Sequence, residues 1–376
     1  MAQVKPLGVG IVGCGDISEW YLKNLPAFHI LNTLACCDLN GELADACSRK
    51  HGLTVLTLEQ MLANPDIDII LNLTPPSAHY PINRAALLAG KHVYTEKVLA
   101  TTVGKAEELV TLARERGLVL GCAPDSFLGG SLQTARKLVE AGLIGEPYAC
   151  RALVVRGYKP LGEKPLSSAF IFQPSGGIPY DMSGYYLHGL INILGPVSRV
   201  CGFAQTRHAA RPIANPRNPG FDETLEIKTP NCMVGNLEFA NGCLGSVTFA
   251  SEGFGETSEF AIYGTEGVLT LGNPNQYGEA CVLLRENCEP VALPLTHGYI
   301  TEFRGLGLAD MAWAIRRNRP ARADAALGLH ALEIIAGLEE SSQSGQTYTL
   351  RNGCEKPAAL LSGYVDGTSQ EYVLTV

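Results

Sequence analysis

The chain has 376 residues, of which 46% are hydrophobic and 18% charged, and its formal net charge is −8 at pH 7. This length exceeds what one small core supports, so two domains of unequal size are expected. The acidic balance without a basic cluster argues against a nucleic-acid partner, and the lack of a long apolar run or of a leader before the first strand predicts a cytoplasmic protein that binds no membrane.

The first predicted element is an apolar strand at residues 7–12, which ends in a glycine-rich turn and is followed by a helix. Gly13 permits the tight turn, and Gly15 lets a pyrophosphate approach the backbone at the positive end of the helix. Ser18 stands where such turns have Gly or Ala, and it is small enough for close helix–strand packing. This pattern predicts a dinucleotide-binding turn.

The second predicted strand, residues 33–37, ends in Asp38, which lies 20 residues after Ser18. An acidic residue at this place accepts hydrogen bonds from the adenosine ribose hydroxyls of a dinucleotide. Its carboxylate would repel a 2′-phosphate, and residues 39–41 contain no Arg or Lys to bind one. The sequence therefore favours NAD over NADP.

Strands and helices continue to alternate as far as Cys122. The pattern predicts strands at 67–73, 91–95 and 118–122, and helices at 78–89 and 102–116. Short apolar strands separated by helices are typical of a parallel, doubly wound sheet. We therefore predict an NAD-binding α/β domain over residues 1–122.

The pattern changes after Cys122. A helix is predicted at 133–141, and two hairpins turn at Asn241-Gly242 and at residues 264–267. Helices are predicted at 308–317 and 325–340, and residues 211–220, rich in Pro and Asn, read as a loop. Residues 123–376 are therefore predicted to form a second α/β domain with a large, mostly antiparallel sheet.

The chain has twelve cysteines and eight histidines, and neither set shows the spacing of metal ligands. Several cysteines stand inside apolar strands, where buried thiols in a reducing compartment are expected. The sequence therefore predicts no disulfide framework and no structural metal.

Two segments carry candidate catalytic residues. Lys97 follows a predicted buried strand at the edge where doubly wound sheets bind ligands, and its amine can hydrogen-bond a substrate hydroxyl. A helix that begins near Pro179 carries Asp181, Tyr185 and His188 at positions i, i+4 and i+7. These three side chains share one helix face and offer an acid, a phenol and an imidazole for proton transfer.

The chain resembles the Gfo/Idh/MocA oxidoreductases, a family named for glucose–fructose oxidoreductase and inositol dehydrogenase. The resemblance extends over nearly the whole chain and rests on several motifs: Gly13-x-Gly15, Thr74-Pro75-x-x-x-His79, residues 90–97, 142–145, 176–181 and 262–267. It implies a Rossmann domain followed by an α/β domain that binds substrate and whose open sheet often forms a subunit interface. A homodimer or homotetramer is expected on this basis.

The resemblance also implies roles for individual residues. Family members typically have Glu-Lys-Pro, whose Lys contacts the reacting hydroxyl; here the Lys is Lys97 and Val98 replaces the Pro. Members often have an acid–base His four positions after an Asp, and here Tyr185 follows Asp181. Tyr185 can relay protons at neutral pH only if the pKa of its phenol falls far below about 10. His188 is the alternative relay, and the sequence leaves the choice open.

The expected cofactor contacts are Gly13, Gly15, Asp16, Ile17, Asp38, Thr74, Pro75, His79, Glu96 and Lys97. The expected substrate contacts are Lys97, Tyr158, Asp181 and Tyr185. The predicted activity is NAD-dependent oxidation of a secondary hydroxyl of a sugar, glycoside or cyclitol. Two alternatives remain: hydrolysis or elimination of a glycoside through transient oxidation by retained NAD, and a non-catalytic regulator that responds to nucleotides.

Overall fold

The computed structural model describes residues 4–157, 169–213, 215–253, 255–363 and 374. Its N-terminal part is a parallel sheet flanked by helices. The strands are β1 (Leu7–Val12), β2 (Leu31–Cys37), β3 (Thr54–Val55), β4 (Ile69–Asn72), β5 (His92–Thr95) and β6 (Leu120–Cys122). The helices are α1 (Asp16–Asn24), α2 (Gly41–His51), α3 (Leu58–Ala63), α4 (Pro76–Leu88) and α5 (Val103–Glu115).

The strand order of this sheet is β3-β2-β1-β4-β5-β6, and all neighbours are parallel. The chain adds β2 and then β3 on one side of β1, crosses back over the sheet, and adds β4, β5 and β6 on the other side. The strand order therefore reverses between β1 and β4, and a crevice forms at their carboxyl ends. Doubly wound sheets bind their ligands in such a crevice, so this topology positions the turns after β1, β4 and β5 around one site.

The second part is built on a larger sheet. Its elements are α6 (Gly130–Glu140), β7 (Pro147–Gly157), α7 (Ile178–Leu194), β8 (Val197–Gln205), β9 (Ala210–Pro212), β10 (Thr224–Glu226), β11 (Cys232–Phe239), β12 (Leu244–Gly253), β13 (Glu256–Gly264), β14 (Gly267–Leu271), β15 (Cys281–Leu284), β16 (Val291–Leu293), α8 (Leu306–Arg317), α9 (Ala325–Ser344) and β17 (Tyr348–Thr349). Short 3₁₀ helices lie at Leu25–Ala27, Ser126–Leu128 and Ala169–Phe172.

The large sheet has the order β16-β15-β14-β13-β7-β12-β11-β8-β17. Its neighbours are antiparallel except for β7 and β12, which run parallel. The predicted fold class, a doubly wound parallel sheet followed by a large, mostly antiparallel sheet, is therefore confirmed. Both predicted hairpins are present, as β11–β12 and β13–β14, and Gly242 supplies the positive φ of +87° at the first turn.

The predicted loop at 211–220 is partly wrong. Residues 211 and 212 belong to β9, which pairs with β10 to form a small two-stranded sheet. This pairing closes the base of the loop and gives its backbone groups hydrogen-bond partners. The Pro- and Asn-rich composition gave no sign of these two strands. Among the helices that the structure describes, none is long and apolar enough to cross a lipid bilayer.

Helix α7 positions the candidate catalytic residues. It begins after Gly177 with Pro179 in its first turn, and it ends at Gly195, whose φ is +92°. Nearly every side chain of this helix is buried, because the helix lies between the large sheet and α9. Asp181 and Gly184 are the partly exposed positions, so the N-terminal end of α7 is where the helix meets the site.

Candidate active site

The turn after β1 has the geometry that a dinucleotide-binding turn requires. Gly13 has a φ of +100°, and a Cβ there would lie 2.8 Å from the backbone carbon of Leu73. Gly15 is the N-cap of α1 and contributes no side-chain cap, and a Cβ on it would have nothing within 4 Å. Gly13 is thus needed for the backbone, whereas Gly15 leaves space above the helix N-terminus. Asp16 and Ile17, the first residues of α1, are exposed and half-buried, respectively.

This difference predicts separate effects for two alanine substitutions. Gly13→Ala should lower the free energy of unfolding by about 2 kcal/mol or more, because it combines a left-handed backbone with a steric clash. Gly15→Ala should leave that free energy unchanged within about 0.5 kcal/mol but weaken NAD binding, because the methyl group occupies the open space. Urea unfolding and NAD titration measure the two effects. Wild-type NAD affinity in Gly15→Ala would show that the phosphates bind elsewhere.

Asp38 lies beside this turn at the end of β2. Its Oδ2 accepts a hydrogen bond from the Cys14 backbone N–H at 2.7 Å, and its Oδ1 accepts one from the Asn40 N–H at 2.8 Å. The carboxylate is therefore held at the mouth of the glycine turn. Leu39, the next residue, is fully exposed and carries no charge. These residues fit the ribose of NAD, since an anionic carboxylate would oppose a 2′-phosphate at the same place.

The turns after β4 and β5 are joined by His79. Its ring nitrogens lie 2.7 Å from the Thr74 carbonyl oxygen and 2.6 Å from the Val98 carbonyl oxygen. The His79 side chain is fully buried, and burial lowers its pKa. In this conformation it cannot touch a bound dinucleotide and instead holds two site loops together. Pro75, at the N-cap of α4, is exposed at the crevice.

Glu96 joins the same region to α1. Its Oε1 accepts a hydrogen bond from the Tyr21 hydroxyl at 2.8 Å, and its Oε2 accepts one from the Lys97 backbone N–H at 3.1 Å. Glu96 is 8% exposed, so little of its side chain is available to a ligand. These contacts fix the backbone from which the Lys97 side chain extends, and the Lys97–Val98 peptide bond is cis.

Lys97 and Asp181 form the polar centre of the site. The Lys97 Nζ donates to the Asp181 carbonyl oxygen at 2.9 Å and to the Asp181 carboxylate. Burial alone would lower the pKa of Lys97, but the negative charges of Asp181 and Glu96 outweigh it, so that pKa is raised. The amine is therefore a cationic hydrogen-bond donor at neutral pH and not a base.

Tyr185 lies next to this ion pair. Its ring centroid is 5.5 Å from the Lys97 Nζ, and the residue is 7% exposed. The Tyr185 ring thus lies beside the cationic side chain of Lys97, which the sequence had singled out.

His188 lies deeper in the protein. It is 1% exposed, its Nδ1 lies 3.0 Å from the Pro124 carbonyl oxygen, and its ring packs edge-on against Phe127 at 5.8 Å. Burial lowers its pKa to about 4. A narrow cavity that Lys97 also lines reaches it. His188 shares the helix face with Asp181, but it stands about 10 Å further along the helix axis.

An open cleft of about 650 Å³ adjoins Asp181 on the side of the large sheet. Its wall is mostly apolar, and Arg156, Thr229, Asn231 and Ser251 contribute polar groups. Their positions on separate strands and loops gave no motif that the sequence could reveal. Tyr158, a predicted substrate contact, and the neighbouring Lys159 lie outside the described residues.

A cluster of thiols lies behind the glycine turn. The Sγ atoms of Cys14, Cys36 and Cys47 all lie within 4.8 Å of one another, and all three residues are buried. All twelve cysteines are free thiols. The three residues come from separate elements, so their irregular spacing gave no metal-ligand signal. The absence of a structural metal stays a prediction.

Two family models match the chain. The oxidoreductase family with an NAD-binding Rossmann fold, GFO/IDH/MocA, matches residues 7–123, and the GFO/IDH/MocA C-terminal domain matches residues 132–270. Together these matches include the glycine turn, Asp38, Lys97, Asp181 and Tyr185.

Curated relatives include sugar oxidoreductases. The 1,5-anhydro-D-fructose reductase of Ensifer adhaerens is 26% identical over 357 residues, or 92% of this chain and 98% of that protein. The levoglucosan dehydrogenase of Pseudarthrobacter phenanthrenivorans is 26% identical over 294 residues, or 70% of this chain and 73% of the relative. The dTDP-3,4-didehydro-2,6-dideoxy-α-D-glucose 3-reductase of Streptomyces antibioticus is 31% identical, and the chain spans 58% of its length.

A solved structure has the same fold. Levoglucosan dehydrogenase in complex with NADH superposes with a TM-score of 0.79 at 21% identity, and the match covers 93% of this chain and 100% of that one. At this identity the likeness establishes the architecture of both domains and not the substrate.

Proposed function

This chain belongs to the GFO/IDH/MocA family of NAD-binding oxidoreductases, and we propose that it oxidises a secondary hydroxyl of a sugar, glycoside or cyclitol with NAD. The observation that carries the proposal is the cluster of Lys97, Asp181 and Tyr185 at the carboxyl edge of the parallel sheet. It combines a cationic donor, a carboxylate and a phenol beside the crevice in which doubly wound sheets bind dinucleotides. The sugar-converting relatives support the substrate class.

The proposed cofactor site uses the turns after three strands. Gly13, Gly15 and the N-terminus of α1, with Asp16 and Ile17, hold the pyrophosphate, and Asp38 binds the adenosine ribose. Thr74, Pro75 and Lys97 line the crevice towards the nicotinamide end. His79 and Glu96 act indirectly by fixing these loops. When bound, NAD accepts the hydride from the carbinol carbon.

The proposed proton transfer uses three side chains. Lys97 donates a hydrogen bond to the substrate hydroxyl and stabilises negative charge on its oxygen. Asp181 orients Lys97 through the contacts at the start of α7. Tyr185 accepts the hydroxyl proton as the hydride leaves the same carbon. We favour Tyr185 over His188 because the imidazole is buried, is directed at Pro124 and has a pKa of about 4.

The experiment incubates the purified protein with NAD or NADP and a panel of cyclitols, free pyranoses and glycosides. Reduced nicotinamide is followed by its absorbance, with Lys97→Ala as control. The expected result is reduction of NAD by one polyol class and its loss in the variant. If no compound of the panel reduces NAD or NADP although NAD binding is measurable, the proposal is contradicted. The next experiments would then look for sugar released from glycosides and for cofactor retained through purification.

The proposed preference for NAD over NADP can be tested at Asp38. Asp38→Ser removes the carboxylate that opposes a 2′-phosphate, so the ratio of kcat/KM for NADP to that for NAD should rise about tenfold or more. The ratio is measured with the substrate found in the panel, or from the two dissociation constants if none is found. Asp45→Ser, on an exposed position of α2, is the matched control. An unchanged ratio would show that Asp38 does not bind the ribose.

The proposal also includes the oligomeric state and the cellular location of the protein. The outer face of the large sheet exposes Phe203, Val234 and Leu244, which are 80%, 48% and 58% exposed, and Phe203 and Val234 are paired neighbours. This apolar face supports a homodimer or homotetramer formed through the sheet. We also propose a cytoplasmic location, two domains divided at residues 122 and 123, and Tyr158 among the substrate contacts.

A further inference from the structure

The three thiols behind the glycine turn form a set of potential metal ligands. The Sγ atoms of Cys14, Cys36 and Cys47 lie within 4.8 Å of one another, although the residues come from the turn after β1, from β2 and from α2. Single buried cysteines are common in apolar cores, but three sulfur atoms this close together offer a binding site for a soft metal ion. Cys14 is 8% exposed, whereas Cys47 and Cys36 are 4% and 0% exposed, so an ion would enter beside Cys14.

Regular parts of the fold hold the three residues in place. Cys36 pairs with Ile11 in the ladder between β2 and β1, and Cys47 lies in the middle of α2. The Cys14 backbone N–H donates to the Asp38 Oδ2 at 2.7 Å, which fixes the turn at this residue. A metal site needs such support, because ligands that move freely lose the geometry that the ion requires.

The donor atoms indicate the class of ion. Among the residues that the structure describes, no histidine nitrogen or carboxylate oxygen completes the group. Three sulfur donors alone suit Cu(I), which accepts three thiolates in a plane, whereas structural zinc takes four ligands. Metal–sulfur bonds of about 2.3 Å place three such sulfur atoms about 4.0 Å apart, so small side-chain shifts suffice to bind the ion.

We propose that Cys14, Cys36 and Cys47 bind one Cu(I) ion, and that this ion weakens the binding of NAD at the adjacent turn. Each thiol that binds the ion releases its proton to solvent, and no electron is transferred. Three thiolates carry more negative charge than one Cu(I) neutralises. Because Cys14 stands between Gly13 and Gly15, this net negative charge lies behind the turn proposed to hold the pyrophosphate, and it opposes that anion.

The proposed ion is not a structural metal. The three cysteines are part of the continuous apolar core, whose burial stabilises the fold, so folding should not require the ion. The prediction that the protein has no structural metal is therefore unaffected. The inference goes beyond the proposed dehydrogenase function, since it depends on NAD binding and not on any substrate.

The test adds Cu(I) to the fully reduced protein in the absence of oxygen, in competition with a chromogenic Cu(I) chelator. The wild type should bind one Cu(I) per chain at the highest affinity, and Cys36→Ala and Cys47→Ala should each weaken that affinity about 100-fold or more. Cys281→Ala is the matched control, because Cys281 is 0% exposed like Cys36 but lies in β15 of the large sheet. X-ray absorption of the copper should show three sulfur ligands.

NAD titration measures the coupling between the two sites. One equivalent of Cu(I) should raise the dissociation constant of NAD about threefold or more in the wild type and in Cys281→Ala, and should leave it unchanged in Cys47→Ala. Because such coupling is reciprocal, saturating NAD should weaken the affinity for Cu(I) by the same factor.

Several results would overturn the inference. Equal Cu(I) affinity in the wild type, Cys36→Ala and Cys47→Ala would assign the uptake to other thiols, such as the exposed Cys288. Nitrogen or oxygen ligands on the copper, displacement of Cu(I) by equimolar Zn(II), or a wild-type NAD affinity that Cu(I) does not change would also contradict it. If the alanine variants do not fold, Cys36→Ser and Cys47→Ser replace them under the same criteria. None of these measurements needs turnover, so their outcome is separate from that of the substrate panel.

Discussion

Lys97→Ala is expected to reduce kcat/KM for alcohol oxidation by roughly 10²–10⁴-fold. The ammonium is the cationic donor beside Asp181 and Tyr185, and the charges around it keep it protonated. Its loss removes both the hydrogen bond that stabilises the developing alkoxide and the cation beside the Tyr185 ring. The decrease should lie mainly in kcat, because the interaction strengthens as the proton leaves the substrate.

A matched control is available on α5. The Nζ of Lys105 lies over the Tyr80 ring at 5.5 Å, the same distance that separates Lys97 from the Tyr185 ring, but Lys105 is exposed and lines neither of the two cavities at the site. Lys105→Ala should therefore keep wild-type kinetics. Thermal unfolding and NAD titration of both variants separate a catalytic loss from a folding defect. A loss of less than tenfold in folded, NAD-binding Lys97→Ala would remove Lys97 from the proposed mechanism.

The glycine turn of the proposed cofactor site could be predicted because its signals are local. The strand, the two glycines and Asp38 follow each other within 32 residues, and each has a conformation or charge that a dinucleotide requires. The φ of +100° at Gly13 and the hydrogen bond from Cys14 to Asp38 are the structural counterparts of that pattern. The hairpin at Asn241-Gly242 was predictable for the same reason, since the turn type demands those residues.

The catalytic end was less predictable because its contacts are distant in sequence. Helical periodicity placed Asp181, Tyr185 and His188 on one face, which is correct, but α7 is buried on nearly all sides. Residues on one helix face can therefore have different surroundings: Asp181 contacts Lys97, whereas His188 packs against Phe127 and shares with Lys97 only the lining of a narrow cavity. Lys97 and Asp181, which do contact each other, are 84 residues apart in the sequence. No local pattern indicates such a contact, because only the packing of the start of α7 against the turn after β5 creates it.

If Tyr185 accepts the proton, two substitutions of this residue should give different results. Tyr185→Phe keeps the ring but removes the acceptor, so kcat should fall roughly 10²–10⁴-fold at every pH. Tyr185→His introduces the residue that family members often have at this position. An imidazole titrates near 6.5 in the absence of perturbation, so activity should be partly retained and its rise should begin at lower pH than in the wild type.

The adjacent Tyr186 supplies the control for this pair. Its hydroxyl hydrogen-bonds the Ser258 hydroxyl at 2.6 Å on the other side of α7, so Tyr186→Phe also loses one phenol but outside the site. Its pH–rate profile should match that of the wild type. Full pH profiles of kcat and kcat/KM for the three variants decide the assignment. If Tyr185→Phe keeps wild-type kcat, the acceptor is another group, whereas a large loss in Tyr185→Phe with recovery in Tyr185→His requires a titrating base at this position.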